Sequence, residues 1–268
     1  IMPTLPIVKA DAYGNDFLLL AKEHASADIR ALVKLLCDRH RGLGADGLIL
    51  YSFNKQTVSM TLFNADGSSS ELSGNGLRCL AAFVLRGRLL EGNKSESVIT
   101  VVTDAGTKSL ELLKKEGNKY YFRASLGLPK NVRQVEISVS NRSVLATVLS
   151  VGNPQCVVLG PLPNKETFNA LAPALSTHQE FPAGTNVEFA EVENPGRVRI
   201  LIWERGVGVT SSSGTGASAS AVAAALYGGA KRTVDVVAPG GTQNVEWRDD
   251  GIYLSGWAEV TFEGSYEI

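Results

Sequence analysis

The residues best suited to chemistry sit in two short turns of the same form, Ser73-Gly-Asn-Gly76 and Ser213-Gly-Thr-Gly216. Each turn precedes an apolar stretch of helical character, so each puts a hydroxyl and two glycines where a helix begins. A helix start carries unpaired N–H groups and the positive end of the helix dipole, which together hold an anion such as a carboxylate. Two glycines let a ligand approach the backbone closely. Taken singly, a serine before Gly-x-Gly needs no role beyond capping its own helix. The pair suggests more, because a pseudo-twofold axis relating the turns would aim two side chains at one ligand from opposite faces. Stereoinversion at an α-carbon needs that arrangement, with one group removing the proton and the other returning one from the far side. The helix starts would then hold the substrate carboxylate and stabilise the charge developing on it. Such a reaction requires no cofactor.

The elements that position these turns occur twice. Tyr13-Gly-Asn-Asp-Phe17 runs into Leu18–Leu20, followed by apolar runs at Leu48–Phe53 and Met60–Asn64, the first serine turn, a helix, and Val98–Thr103. Val151-Gly-Asn-Pro154 runs into Cys156–Leu159, followed by Val187–Ala190, Val198–Trp203, the second serine turn, a helix, and Val234–Ala238. The spacing agrees: Ser213 − Ser73 = 140, Glu204 − Asn64 = 140 and Asn153 − Asn15 = 138. This is a duplicated α/β unit. After Gly76, residues Leu77, Leu80, Ala81, Val84 and Leu85 form one apolar stripe at helical spacing. After Gly216, the run Ala217–Leu226 is almost entirely Ala, Ser and Val, which suits a helix enclosed by sheet on all sides. A third helix, over Asp28–Arg39, shows Ile29, Leu32, Val33 and Leu36 on one face and reads as peripheral. Each half is therefore expected to be a sheet curled around one central helix. The junction falls near Glu116–Lys119 or in the polar stretch Pro129–Ser143.

Composition narrows the alternatives. The chain has 268 residues, 44% of them hydrophobic and 20% charged, with a formal net charge of −1, so nothing points to nucleic acid or an anionic membrane surface. No apolar run reaches the roughly 20 residues that span a bilayer. Cys37, Cys79 and Cys156 are widely spaced and odd in number, which fits neither a disulfide framework nor a metal site and suits a reduced, cytoplasmic protein. Gly42-Leu-Gly-Ala-Asp-Gly47 matches a dinucleotide fingerprint in letters only, because it follows a helix and opens a strand. His24, His40 and His178 are scattered, and no metal-ligand spacing is present.

Seven ordered motifs resemble the diaminopimelate epimerase family almost end to end. They are Gly14-Asn-Asp-Phe17, Phe63-Asn-Ala-Asp-Gly67, Gly74-Asn-Gly76 with Arg78-Cys79, Gly152-Asn-Pro154, Thr185-Asn-Val-Glu-Phe189, Glu204-Arg-Gly-Val-Gly208 and Gly214-Thr-Gly216. The resemblance implies an α/β fold of two pseudo-symmetric lobes, each a β-barrel-like sheet around a central helix. The lobes would comprise residues 1–118 with 258–268, and residues 119–257, with the active site in the cleft between them. It further implies cofactor-independent interconversion of LL- and meso-diaminopimelate, no metal, and a homodimer. Substrate contacts carry over onto Asn15, Asn64, Asn153, Asn186, Glu204 and Arg205, and backbone donors onto Gly74, Asn75, Gly214 and Thr215. Four amides, a carboxylate and a guanidinium would satisfy both charged ends of a small zwitterion.

The chain departs from the family where proton transfer is performed. The family's two catalytic residues are cysteines, and Ser73 and Ser213 stand at both positions. A thiol of pKa about 8.5 ionises in an electropositive pocket, whereas a hydroxyl is a far weaker acid. No histidine or lysine adjoins either turn in sequence. Gly47, Gln155 and Val209 depart as well, standing where the family carries Gln, His and an acid, which fits natural divergence better than an exchange of two residues alone. Three readings stay open: an epimerase using hydroxyls, a binding homologue that kept the pocket, and an isomerase or dehydratase using Glu204 or Glu71. Retention of Asn64, Asn186 and Arg205 favours a diaminopimelate-like ligand in each case.

Overall fold

A computed structural model describes residues 4–87, 89–90, 97–139 and 141–268 of the chain. It divides into two compact units, Ile1–Ala124 with Gly256–Ile268, and Ser125–Ser255. The chain leaves unit 1 within one long strand and returns to it within another.

Unit 1 contains β1 (Thr4–Ala12), β2 (Asn15–Ala21), α1 (Ile29–Cys37), β3 (Gly47–Asn54), β4 (Thr57–Asn64), β5 (Ser69–Ser70), α2 (Gly74–Gly87), β6 (Val98–Thr103), β7 (Gly106–Glu116) and most of β8 (Lys119–Gly127). β1 pairs antiparallel with β2, β3 with β4, β6 with β7, and β7 with β8. β2 and β3 are parallel, as are β4 and β6. Parallel neighbours need a crossover, and α1 and α2 supply one each.

Unit 2 repeats the plan with β9 (Lys130–Val139), β10 (Arg142–Ser150), β11 (Pro154–Leu159), α3 (Lys165–Ser176), β12 (Asn186–Asn194), β13 (Arg197–Glu204), β14 (Gly208–Thr210), α4 (Gly214–Tyr227), β15 (Thr233–Ala238), β16 (Gly241–Arg248) and the start of β17 (Gly251–Glu267). Here β11 and β12 are parallel across α3, and β13 and β15 are parallel across α4. β10 pairs antiparallel with β11, β12 with β13, and β15 with β16. The later part of β17 pairs with β1, from Asp11↔Glu259 to Thr4↔Glu267, and so completes unit 1.

The two kinds of crossover helix differ in burial. α1 is capped by Asp28, whose side chain accepts from Ala31 N at 3.1 Å, and buries Leu32, Val33 and Leu36 against Leu18, Leu20 and Leu48. α3 is capped the same way by Asn164 and buries Phe168, Leu171 and Leu175. Both lie on the outside of their sheets, each with one solvated face. α2 and α4 are enclosed instead: Gly74–Val84 and Gly214–Ala224 are buried without a break. α4 touches β10, β11, β12, β13, β15 and β16. Its Gly, Ala and Ser side chains let those strands come close, and alanine supplies the helix propensity that packing alone would not. The apolar stripe expected on the first central helix is therefore only part of its buried surface, because Asn75 and Arg78 are buried beside it.

Candidate active site

In unit 1 the serine turn caps α2. Ser73 Oγ accepts a hydrogen bond from Gly76 N at 3.0 Å, and Ser73 O accepts from Leu77 N at 2.9 Å. Gly76 is closely packed: a Cβ there would lie 3.2 Å from Ile49 Cδ1 and Ser73 Cβ and 3.3 Å from Met60 Cε. Asn15, at the start of β2, is 1% exposed and follows the left-handed pair Tyr13 and Gly14 (φ 59° and 81°). Its Nδ2 donates to Asp46 Oδ2 at 2.8 Å, and its Oδ1 accepts from Asn75 Nδ2 at 3.0 Å. Asn75 Oδ1 in turn accepts a short hydrogen bond from Arg78 Nη2. At the other end Arg39 Nη2 donates to Asp46 Oδ1 at 2.9 Å and to Asp16 Oδ1 at 2.7 Å. A polar chain thus runs Arg39–Asp46–Asn15–Asn75–Arg78. Its inner end is a fully buried guanidinium, 5.8 Å from the Tyr13 ring centre, with burial lowering its pKa. Asn64 stands apart from this chain, at the end of β4, where its Nδ2 donates to Ser68 Oγ at 3.0 Å.

In unit 2 the second turn caps α4 with the same geometry. Ser213, 3% exposed and extended (φ −139°, ψ 124°), accepts from Gly216 N at 3.2 Å through Oγ and from Ala217 N at 2.9 Å through its carbonyl. Asn153, Asn186 and Thr215 converge on the buried Gln155, whose amide lies 2.6 Å from Asn153 Oδ1, 3.1 Å from Thr215 Oγ1 and 3.3 Å from Asn186 Nδ2. Asn186 Oδ1 accepts from Arg205 N at 2.9 Å, which ties the start of β12 to the end of β13. The Arg205 side chain folds over Gly184, its Nη1 donating to Ala183 O at 3.0 Å. It borders an open cavity of about 600 Å³ floored by Phe181, Pro182 and Trp203, which none of Asn153, Asn186 or Ser213 lines. Gly214 O accepts from Ser218 Oγ at 2.8 Å.

Glu188 completes this half. It is 0% exposed, in mid-β12, and a Cβ on Gly216 would overlap its Oε1 and lie 3.0 Å from its Cδ. Burial, and then the charge of Glu204, push its carboxyl well above the usual range. Cys79 and Cys156 are also buried and, with burial raising both thiols, neither is poised to ionise. Among the described residues no group of acidic, histidine or cysteine side chains is placed to hold a metal, and no helix is long and apolar enough to cross a membrane.

The strand registers put the halves in correspondence. Phe17↔Gly47 on β2–β3 answers Gln155↔Asn186 on β11–β12, and Gly47↔Asn64 answers the Asn186–Glu204 end of β12–β13. Ile49 thereby corresponds to Glu188, Asn75 to Thr215 and Arg78 to Ser218.

A family model described as diaminopimelate epimerase matches residues 7–129 and 147–261. The chain belongs to the diaminopimelate epimerase family. Diaminopimelate epimerases of Desulforudis audaxviator, Pelotomaculum thermopropionicum and Microcystis aeruginosa are 38%, 37% and 36% identical, over 98%, 96% and 98% of this chain and 99%, 97% and 99% of their own. Among solved structures, a hydroxyproline epimerase from Agrobacterium vitis with bound trans-4-hydroxy-L-proline superposes with a TM-score of 0.77 at 15% identity, covering 98% of this chain and 91% of that one. A probable proline racemase from Agrobacterium radiobacter gives 0.76 at 16%, covering 98% and 92%. These structures share the fold, an α/β architecture dominated by sheet. The epimerase family is one of amino-acid isomerases, and this chain's fold and enzyme class follow from membership.

Asp46 carries no site signal of its own in the sequence, and Arg78 and Glu188 stand there only as parts of motifs. The sequence signal of Glu188 is one acid inside the apolar run Val187–Ala190, since a strand buried on both faces would place its charges at the ends. Asp46 lies in the Gly-rich loop set aside as a false dinucleotide fingerprint, and there it orients Asn15.

Proposed function

We propose that this member of the epimerase family interconverts LL- and meso-diaminopimelate without a cofactor, by two-base proton transfer at Cα, as a step in lysine and cell-wall precursor synthesis. The observation that carries this reading is the repeated turn: in each unit a serine hydroxyl sits at the buried start of a central helix, within hydrogen-bond distance of Gly76 N or Gly216 N. Unit 1 and unit 2 serve as the two lobes, and Ser73 and Ser213 act on opposite faces of one α-carbon. One serine oxygen, as alkoxide, takes the α-proton. The electron pair of the C–H bond passes into the carboxylate, and the other hydroxyl delivers its own proton to the opposite face. The N–H groups of Gly74, Asn75, Gly214 and Thr215 receive the carboxylate, whose charge grows as the proton leaves. Asn15, Asn64, Asn153, Asn186, Glu204 and Arg205 supply contacts for the amino groups and the distal carboxylate.

Serine makes proton abstraction the slow step. Each unit of pKa mismatch between base and carbon acid costs about 1.4 kcal/mol. The N–H already donated to each Oγ, together with the helix dipole, lowers the cost of an alkoxide there. A homodimer in the cytoplasm is the working form this reading assumes.

Incubation with LL-diaminopimelate in D₂O tests the reading. Uptake of α-deuterium with appearance of the meso isomer is the expected outcome. Retained binding with no exchange would overturn it and leave a diaminopimelate-binding homologue.

A further inference from the structure

Glu188 has no part in the proton transfer just described, yet it is a buried acid directly beneath the second serine turn. One end of the Gln155 amide lies 3.1 and 3.2 Å from its two carboxyl oxygens. The other end faces Asn153 Oδ1, Thr215 Oγ1 and Asn186 Nδ2 at the distances given above. An amide has a donor end and an acceptor end, so Gln155 can meet Glu188 in two ways, only one of which gives Asn186 Nδ2 an acceptor. When Glu188 is protonated, its O–H donates to the Gln155 carbonyl, and the Gln155 NH₂ donates to Asn153 Oδ1 and Thr215 Oγ1. When Glu188 is ionised, it can only accept. The Gln155 NH₂ must then turn to the carboxylate, and the Gln155 carbonyl accepts from Asn186 Nδ2 and Thr215 Oγ1, with the Asn153 amide turned to match.

We propose that Glu188 and Gln155 form a protonation-set amide switch, which decides the hydrogen bonds that Asn153, Asn186 and Thr215 have left to offer a ligand. Glu188 is thus a positioning residue, acting through Gln155. The switch itself depends on unit 2 alone; its effect on diaminopimelate rests on the substrate site proposed above. The duplication argues that the pair is not needed for packing. At the corresponding places unit 1 has Ile49, packed under Gly76, and Phe17, both buried hydrophobics. A carboxyl and an amide in their stead bring only polarity, which destabilises the fold wherever it is left unsatisfied. The titratable groups facing Glu188 are few. β11 presents the neutral thiol of Cys156, β13 presents Glu204, and Gly214–Ala224 of α4 has no titratable side chain. Both effects on Glu188 favour the protonated form, so that form persists above the pH at which an exposed glutamate ionises.

Side-chain amide NMR of the intact chain, ¹⁵N-labelled, tests the switch from about pH 5 to about pH 8, where folded proteins are commonly most stable. The expected result is that the amide signals of Gln155, Asn153 and Asn186 move together with one midpoint. Glu188→Gln should abolish the movement with the fold retained. Should that variant fail to fold, Glu188→Ile carries the test, since unit 1 already uses isoleucine at that place. Amides that stay still across the range, or that still titrate without Glu188, would overturn the proposal. In wild type the Kd for LL-diaminopimelate should change several-fold through the same midpoint, and a flat Kd while the amides move would overturn the coupling to ligand. Complete absence of diaminopimelate binding would count against the proposed substrate and leave the NMR result to decide the switch.

Discussion

At the start of α2, Gly76 rests on Ile49 and Met60; at the start of α4, in the same register, Gly216 rests on the carboxyl of Glu188. Five residues past each capping serine the contrast reverses: α2 carries the buried guanidinium of Arg78, and α4 carries Ser218, whose hydroxyl bonds back to Gly214 O. The backbone cradles are alike, with the same cap, the same glycines and the same enclosed helix. Their buried titratable groups differ in kind: a guanidinium in unit 1 and, in unit 2, a carboxyl that burial and Glu204 hold towards its neutral form. Asn15 reaches Asn75 directly on a chain that ends in a cation, while Asn153 reaches Thr215 through Gln155 on a chain that ends in an acid. Under the proposed function, duplication has kept the backbone cradle for an anion and varied the groups that would tune a proton. Interconversion of two stereoisomers allows that, because acids serving the two faces of an α-carbon need not be equally strong.

The largest expected effect comes from giving both turns their thiols. Ser73→Cys with Ser213→Cys should raise α-proton exchange about 10²–10⁴-fold, the usual reach of general acid–base catalysis. An unchanged rate would mean that the cradles have lost more than their sulfur. The single variants sharpen the comparison. With a buried guanidinium on α2 and a buried acid against the start of α4, the thiol introduced by Ser73→Cys should have the lower pKa, read from thiolate absorbance against pH. The reverse order would refute the division of charge argued here.

Packing should separate the turns next. Alanine at Gly216 would overlap a carboxyl clamped by Gln155, and overpacking of this kind costs about 1–3 kcal/mol. Alanine at Gly76 meets Ser73 Cβ and the methyl ends of Ile49 and Met60 at 3.2–3.3 Å, which can give by tenths of an ångström, and it gains about 1 kcal/mol of helix propensity. Urea unfolding should therefore show Gly216→Ala destabilised and Gly76→Ala nearly neutral. Equal losses would mean that Glu188 yields as readily as an aliphatic chain.

How much of this could be read from the sequence follows the same line between backbone and charge. The serine turns, the enclosed helix after Gly216 and the strands at Val98–Thr103 and Val187–Ala190 were legible, because glycine placement, small residues and β-branched runs act locally. α3 was not. Pro173 interrupts its helical signal, and its buried face is defined only by the strands it covers. The polar chains were invisible for another reason. Asp46 and Asn15 are 31 residues apart, Asn15 and Asn75 are 60 apart, and Gln155 and Thr215 are 60 apart, so their pairing exists only after folding.

Acid–base behaviour of the scaffold gives a smaller effect. Burial, then the neighbouring Asp16, raise Asp11 to about 6. A folded pKa above the unfolded one means that the folded state holds the proton longer, so stability falls as pH rises from about 4 to about 6 and levels off beyond. Asp11→Asn should flatten that slope in thermal melts run across the interval, whereas a slope that persists would assign it to another acid. Asp11 is only half-buried, so solvent screening keeps the change modest.

The smallest effect is the most discriminating about what the serines are for. Both hydroxyls cap their helices, and Ser→Ala at either position should cost about 1 kcal/mol. The loss should be greater at Ser213, which is 3% exposed, than at Ser73, where water can reach the freed N–H. Ser213→Asn separates the two roles. Its side-chain oxygen can accept from Gly216 N as a cap, so stability should be kept to within a few tenths of a kcal/mol. It has no hydroxyl to lend a proton, so conversion of LL- to meso-diaminopimelate should vanish while diaminopimelate still binds, whatever exchange Ser73 sustains on its own face. If inversion survives in that variant, Ser213 is a cap and nothing more, and the proton on the unit 2 side must come from elsewhere, with Glu188 and Glu204 the acids nearest to the turn by register.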